Sequence, residues 1–227
     1  MRSSLISHDG PTTSWIAYWL GRLWMWWFGW NVEGEPEPNT KKAILIACPH
    51  TTNWDLPFML ATAFIFRLDV SWLGKHTLFR PPLGWLLRWL RGLPVDRRAP
   101  NGAVKQVAEH IGRAERIALA VPPSGTRSKG EYWKSGFYWM AHTAGVPIML
   151  GFLDYQKKTS GIGPTIPTTG DIKKDMDKIR AFYADKQGLY PEMKTTICLR
   201  DEEGPPAKQE EPRKQGQCQC GGEQCGG

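Results

Sequence analysis

No stretch of the 227 residues is apolar for long enough to make a clear transmembrane helix. The most apolar run, residues 15–30 (WIAYWLGRLWMWWFGW), falls short of the roughly 18 residues a span needs. The opening residues, MRSSLISHDGPTT, have neither an apolar stretch nor a small-residue cleavage site, so no conventional signal peptide is expected and the chain is expected to stay in the cytosol. Cysteine is sparse where a fold could use it. Only Cys48 and Cys198 lie in apolar runs, and Cys218, Cys220 and Cys225 lie in a Gly/Gln-rich tail. An odd count without a leader argues against a disulfide framework and for a reducing compartment. The three tail thiols also lack the paired spacing of a structural zinc site, so no metal is expected. Internal repeats are absent, and no nucleic-acid-binding motif accompanies the positive charge, which excludes that class of partner.

Tryptophan and basic charge are what the chain has in excess. Twelve Trp are more than a soluble core of this size usually takes, and six of them fall in residues 15–30 with a single charge, Arg22. Indoles favour the layer where protein meets lipid headgroups, so this run is expected to be a helix lying in a membrane interface, with a buried core helix or a true span as alternatives. Residues 201–227 hold six acids and three bases, a net of −3 against the total of +7, so residues 1–200 carry +10. A basic body attracts phosphates, whether on a membrane or on a small substrate.

Along the chain, buried-strand patterns at residues 43–48, 70–73, 117–121 and 148–153 alternate with helical patterns at 54–67, 80–91, 101–115 and 137–144. Residues 157–170 read as a Gly/Thr/Pro loop, 171–187 as a charged helix, and 194–199 as a possible last strand. This pattern predicts an α/β fold with a mostly parallel sheet flanked by helices, whose site lies off the carboxyl ends of the strands. Three regions follow: an N-terminal membrane-interface helix (1–32), a central domain (33–200), and a disordered Cys/Gly-rich tail (201–227).

The first buried strand runs into CPHTTNWD, residues 48–55. Five residues on one helix would be about 140° apart, so His50 is expected in the loop and Asp55 in the first turn of the next helix, with Thr52 or Asn53 as N-cap. The carboxylate then reaches back, fixes the imidazole tautomer and frees the other ring nitrogen to take a proton from a hydroxyl. Cys48 offers a rival thiol nucleophile, but a lone Cys among apolar residues is usually packing. The second buried strand ends in VPPSGTRSKG, residues 121–130, which puts Ser124, Gly125, Thr126 and Arg127 at the same sheet edge. Between them, GLPVDRR at residues 92–98 contributes Asp96, Arg97 and Arg98. On a helix, Leu83, Leu86, Leu87 and Leu90 share one face, and Trp85, Arg88 and Trp89 share the other.

Four segments in this order resemble the 1-acyl-sn-glycerol-3-phosphate acyltransferase family, within the glycerolipid acyltransferases. His50-Thr-Thr-Asn-Trp-Asp55 is similar to its His-x-x-x-x-Asp motif, and Gly92-Leu-Pro-Val-Asp96-Arg97 to its Gly-x-x-x-x-Arg block. Pro123-Ser124-Gly125-Thr126-Arg127-Ser128 is similar to Pro-Glu-Gly-Thr-Arg-Ser, and Gly145-Val146-Pro147-Ile148 to its Val-Pro-Ile block. Ser124 departs from the family's usual Glu, which removes a group able only to accept hydrogen bonds and bears on which acceptor is taken.

The resemblance implies a glycerol-3-phosphate acyltransferase-like domain that moves a fatty acyl chain from an acyl thioester, on coenzyme A or acyl carrier protein, to a lysophospholipid hydroxyl. The acceptor most directly implied is 1-acylglycerol 3-phosphate. His50 would be the general base and Asp55 its orienting partner. Arg97 and Arg127 would bind the acceptor phosphate, and Ser124, Gly125 and Thr126 would shape the acceptor loop. No metal or bound cofactor is implied. The expected location is the cytoplasmic face of a membrane, peripheral or monotopic. Alternatives are another lysolipid or an amino-acid-derived lipid as acceptor, or a catalytically silent membrane-binding relative.

Overall fold

Seven strands join in one sheet in the computed structural model of the chain, which describes residues 13–37, 39–82, 84–95, 100–125 and 129–203. In chain order the elements are α1 (Trp15–Phe28), β1 (Asn31–Glu33), β2 (Lys42–Cys48), α2 (Asp55–Phe66), β3 (Val70–Lys75), α3 (Gly84–Trp89), β4 (Gly92–Val95), α4 (Pro100–Arg113), β5 (Ile117–Val121), α5 (Gly136–Ala144), β6 (Ile148–Asp154), β7 (Thr159–Ile166) and α6 (Ile172–Tyr183). The sheet order is β1-β7-β6-β2-β5-β3-β4. From β6 to β4 every neighbouring pair is parallel, and β7 turns back antiparallel on β6 and carries β1 at its outer edge.

The central strands are apolar at nearly every position between their ends because both faces are covered. Ile44, Ile46, Leu119, Ile148 and Leu150 point to the side closed by α4, α5 and α6, where Phe137, Tyr138, Ile111 and Met176 complete the core. Ala43, Leu45, Ala118, Ala120 and Met149 point to the opposite side, packed with Leu68 and Ile162. There α2 lies over the sheet, and its Phe58 stacks on Trp30 with ring centroids 4.2 Å apart.

Helix α1 begins at Ser14, whose hydroxyl accepts the Ala17 N–H, and ends at Gly29 in the left-handed conformation. It packs on α2 through its small residues. Ala17 and Gly21 are buried, and a Cβ on Gly21 would sit 2.7 Å from the Ala61 carbonyl oxygen, so only glycine permits this approach. Arg67, just past α2, donates to the Thr13 carbonyl (2.8 Å) and lies over the Trp15 ring. The outer face keeps Trp15, Trp19, Trp26 and Trp27 exposed. Among the described residues no helix is long and apolar enough to cross a membrane. The helix expected within residues 1–32 packs on α2, and β1 just after it pairs with β7 at the edge of the sheet.

Two expectations differ from the structure. Residues 159–166, read as loop, form β7. Its glycines are close-approach positions: a Cβ on Gly161 would lie 1.9 Å from the Glu33 carbonyl oxygen, and one on Gly163 would lie 2.2 Å from the Phe182 ring. Residues 194–199, read as a strand, make a single bridge between Trp133 and Leu199 and otherwise run as an extended strap. Arg200–Glu203, at the start of the expected disordered tail, close a short 3-10 turn in which Glu202 binds Arg180 and the Leu199 N–H. The rest of the tail, with its three cysteines, lies outside the described residues.

Candidate active site

Strands β2, β5, β3 and β6 run parallel, so their carboxyl ends deliver four loops to one edge, where α/β folds place their sites. After β2 the chain turns through Pro49 and enters α2 at Asp55, with His50 in the loop and Asp55 in the first helical turn, as the spacing predicts. His50 Nδ1 lies 3.0 Å from Asp55 Oδ2, and the same oxygen accepts the N–H groups of Thr51 (2.9 Å) and Thr52 (3.1 Å). Asp55 is fully buried and His50 keeps a fifth of its side chain exposed, at 22%. The Asp55 carboxylate thus sits at the N-terminus of α2 with its Oδ2 shared among the imidazole and two main-chain N–H donors. With Nδ1 held there, Nε2 is the nitrogen left for a substrate proton. Neither expected residue caps α2: the Thr52 hydroxyl accepts the Trp54 N–H, and Trp54 occupies the N-cap position without a side-chain bond.

His50 lines a small pit with Cys48, Thr51, Ser124, Trp133 and Lys194. Ser124 comes from the loop after β5, so the first and third sequence motifs meet there. Its neighbour Gly125 has φ +64 and donates its N–H to the Pro122 carbonyl; a Cβ there would sit 2.9 Å from the Lys134 side chain. Arg97, Thr126 and Arg127 lie outside the described residues. Burial pushes the Cys48 thiol from 9.0 up to about 12, which keeps it protonated near neutral pH and removes it as a nucleophile. Among the described residues no His/Cys/Asp/Glu cluster has a metal-binding arrangement.

Two contributions were not foreseen. Tyr155, directly after β6, donates its hydroxyl to Asp55 Oδ1 at 2.8 Å. Its signal was available, because β6 was legible as a strand and a polar side chain just past its end falls at the site edge. The second is the strap that follows α6. Gly188 passes so close to the His50 loop that a Cβ would meet Thr51 Oγ1 at 2.8 Å, and the Tyr155 N–H donates to the Gln187 carbonyl. Lys194 Nζ donates to the carbonyls of Lys186 (2.9 Å) and Tyr183 (3.3 Å), capping the end of α6 beside the pit. Thr195 accepts the Gly130 N–H, tying the strap to the loop after β5. No local pattern announces this path.

The sheet is mostly parallel, with a His–Asp pair after its central strand, and the Acyltransferase family model matches residues 29–149, more than half of the chain. The chain belongs to that family. It is 27% identical over 135 residues to a 1-acyl-sn-glycerol-3-phosphate acyltransferase of Limnanthes alba, an alignment covering 57% of this chain and 47% of that protein. The chain thus spans about half the length of that curated relative. Among solved structures it is similar to the 1-acyl-sn-glycerophosphate (LPA) acyltransferase PlsC of Thermotoga maritima, at 18% identity and a TM-score of 0.48, covering 71% of this chain and 72% of that one.

Proposed function

We propose that the protein transfers a fatty acyl group from an acyl thioester, carried on coenzyme A or acyl carrier protein, to the hydroxyl of 1-acylglycerol 3-phosphate, forming phosphatidic acid. The observation that carries this reading is the His50 imidazole held through Nδ1 by a buried Asp55, at the sheet edge shared with Ser124 and Gly125. The acceptor hydroxyl gives its proton to His50 Nε2 as its oxygen attacks the thioester carbonyl. Asp55 stabilises the imidazolium, which then protonates the departing sulfur as the tetrahedral intermediate collapses to ester and free thiol. The hydroxyl itself is the nucleophile, so no acyl-enzyme forms. Arg97 and Arg127 bind the acceptor phosphate through their planar forks, and Ser124, Gly125 and Thr126 shape the loop around the acceptor.

The donor and acceptor are both lipids or lipid-like, which fits a surface that meets a membrane. Trp26 and Trp27 on α1 are 73% and 74% exposed, and exposed Trp54 lies one residue before Asp55, its ring 6.5 Å from Phe28 at the end of α1. On α3, Trp85, Arg88 and Trp89 face solvent while Leu86 and Leu87 are half-buried. Indoles of this kind insert at the headgroup layer from one leaflet, and the basic body adds attraction to the anionic cytoplasmic face. Residues 1–32 serve this contact, and residues 33–200 carry the chemistry.

The test offers purified protein a panel of lysolipids and an amino-acid-derived lipid with isotope-labelled acyl-CoA or acyl carrier protein, and identifies products by mass. Labelled phosphatidic acid as the dominant product is the expected result. A dominant product from another acceptor overturns the acceptor assignment, and the absence of transfer to every acceptor overturns the enzymatic reading.

A further inference from the structure

The carboxylate of Asp55 has two oxygens with different company. Oδ2 takes His50 Nδ1 and two main-chain N–H groups, all from its own loop. Oδ1 takes the hydroxyl of Tyr155, one hundred residues away in sequence. We propose that Tyr155 is a positioning residue for the His50–Asp55 pair: its hydroxyl fixes the plane of the Asp55 carboxylate and draws charge off it, and so sets the basicity of the imidazole. The proposal rests on the general-base reading of His50 only for its effect on rate; the coupling between the phenol and the imidazole stands apart from it.

The tyrosine is held as a positioning group must be. It opens the turn between β6 and β7, where Asp154 Oδ1 accepts the N–H groups of Gln156 and Lys157 and fixes the turn's shape. Its ring stands edge-on against Trp30, with centroids 4.9 Å apart and planes at 88°, and near Phe58 at 6.1 Å. Its own N–H is bound by the Gln187 carbonyl of the strap. Burial first, and then the bond to Asp55, hold the phenol well above its ordinary range, so it remains a neutral donor at any pH at which the enzyme works.

Removing the hydroxyl leaves Oδ1 buried and short of a donor, while Thr51 and Thr52 still hold the anion in place. Negative charge then concentrates on the oxygen facing His50, and the imidazolium is favoured. Among the described residues, the other titratable groups near the pair are Cys48 at the end of β2 and Tyr190 and Lys194 on the strap, and all of them are kept in the substitution.

A matched control exists in the same fold. Tyr138 is also buried and donates its hydroxyl to a buried carboxylate, Asp175 Oδ2, at 3.0 Å, between α5 and α6. Tyr138→Phe deletes a bond of the same kind that does not touch the His50–Asp55 pair.

The experiment compares the full chain with its Tyr155→Phe and Tyr138→Phe variants. NMR titration follows the His50 imidazole, assigned by its loss in His50→Gln, and kcat and KM are measured against pH with acyl-CoA and 1-acylglycerol 3-phosphate. In Tyr155→Phe the His50 midpoint is expected to rise by about half a unit to one unit, because one unit is tenfold in equilibrium. Below that midpoint kcat falls about three- to tenfold, it recovers at alkaline pH, and KM for either substrate stays constant. In Tyr138→Phe thermal stability falls and the midpoint holds. An unchanged midpoint in Tyr155→Phe overturns the proposal, as does an equal shift in both variants. A shifted midpoint without a matching shift of the rate profile supports the coupling and overturns the assignment of His50 as base.

Discussion

At the scale of single residues, the site depends on which proton carriers stay neutral and which stay charged. His50→Ala is expected to lower kcat by 10²- to 10⁴-fold with the fold intact, because a positioned base contributes about that much. Asp55→Asn is expected to be nearly as severe, because the amide favours the wrong tautomer. Steady-state kinetics beside circular dichroism checks both. Cys48 behaves oppositely. Its thiol pKa is 9.0 in the unfolded reference and about 12 in the fold, so folding favours the protonated form. Stability from this group is fully present below pH 9 and is lost as pH rises toward about 12, because the unfolded chain releases the proton first. Thermal melts from pH 8 to 11 should show a steeper alkaline decline for the natural chain than for Cys48→Ala, and iodoacetamide at pH 7 should leave transfer activity intact. Ser124→Glu places a carboxylate in the pit beside His50 and Lys194, and is expected to raise the preference for 1-acylglycerol 3-phosphate over other lysolipids in competition assays. An unchanged preference would make the serine a neutral replacement.

At the scale of elements, glycines decide how near two backbones come. At Gly21, where α1 approaches α2, the tightest contact a Cβ would make is with main chain, the Ala61 carbonyl oxygen at 2.7 Å, which cannot swing aside as a side chain could. Gly21→Val is expected to destabilise the protein by about 1–3 kcal/mol through overpacking, read from urea denaturation. Gly21→Ala should fall between it and the natural chain. The cost appears in stability, and His50 keeps its geometry because the site lies at the strand ends. The strap after α6 acts in the other direction, through bonds to the Thr51 region, the Tyr155 main chain and the Gly130 loop that tie three sheet-edge loops together.

At the scale of the whole molecule, an apolar helix face and a basic body combine. Because α1 also holds Met25 and Ala17 in the interior, deleting it would damage the fold, so the membrane contact is best tested on its exposed indoles. The triple variant Trp19→Gln, Trp26→Gln, Trp27→Gln touches only exposed side chains. It is expected to float poorly with phosphatidylglycerol-containing vesicles, retaining an attraction of about 1 kcal/mol per basic residue near the surface. High salt should abolish that remainder by screening, while the natural chain, if its contact is mainly apolar as proposed, still floats. Undiminished flotation of the variant at high salt would place the membrane contact elsewhere.

The sequence by itself determined the central architecture and the placement of His50 and Asp55. Continuous apolar runs such as residues 43–48 and 148–153 can be buried only on both faces, which means parallel strands between helix layers, and the five-residue spacing of His50 and Asp55 leaves only a loop-then-helix arrangement. The exposed indoles of α1 were legible for the same reason, because too many large aromatics crowd one short run. Tertiary structure alone decided the rest. Residues 159–166 look like a loop because their glycines have no pattern of their own, and those glycines make sense only against the Glu33 carbonyl and the Phe182 ring. Tyr155 meets Asp55 across one hundred residues of sequence, and Lys194 comes to line the pit with His50 only because the strap after α6 passes there. Local periodicity records which faces are buried; it does not record which distant segment will cover them.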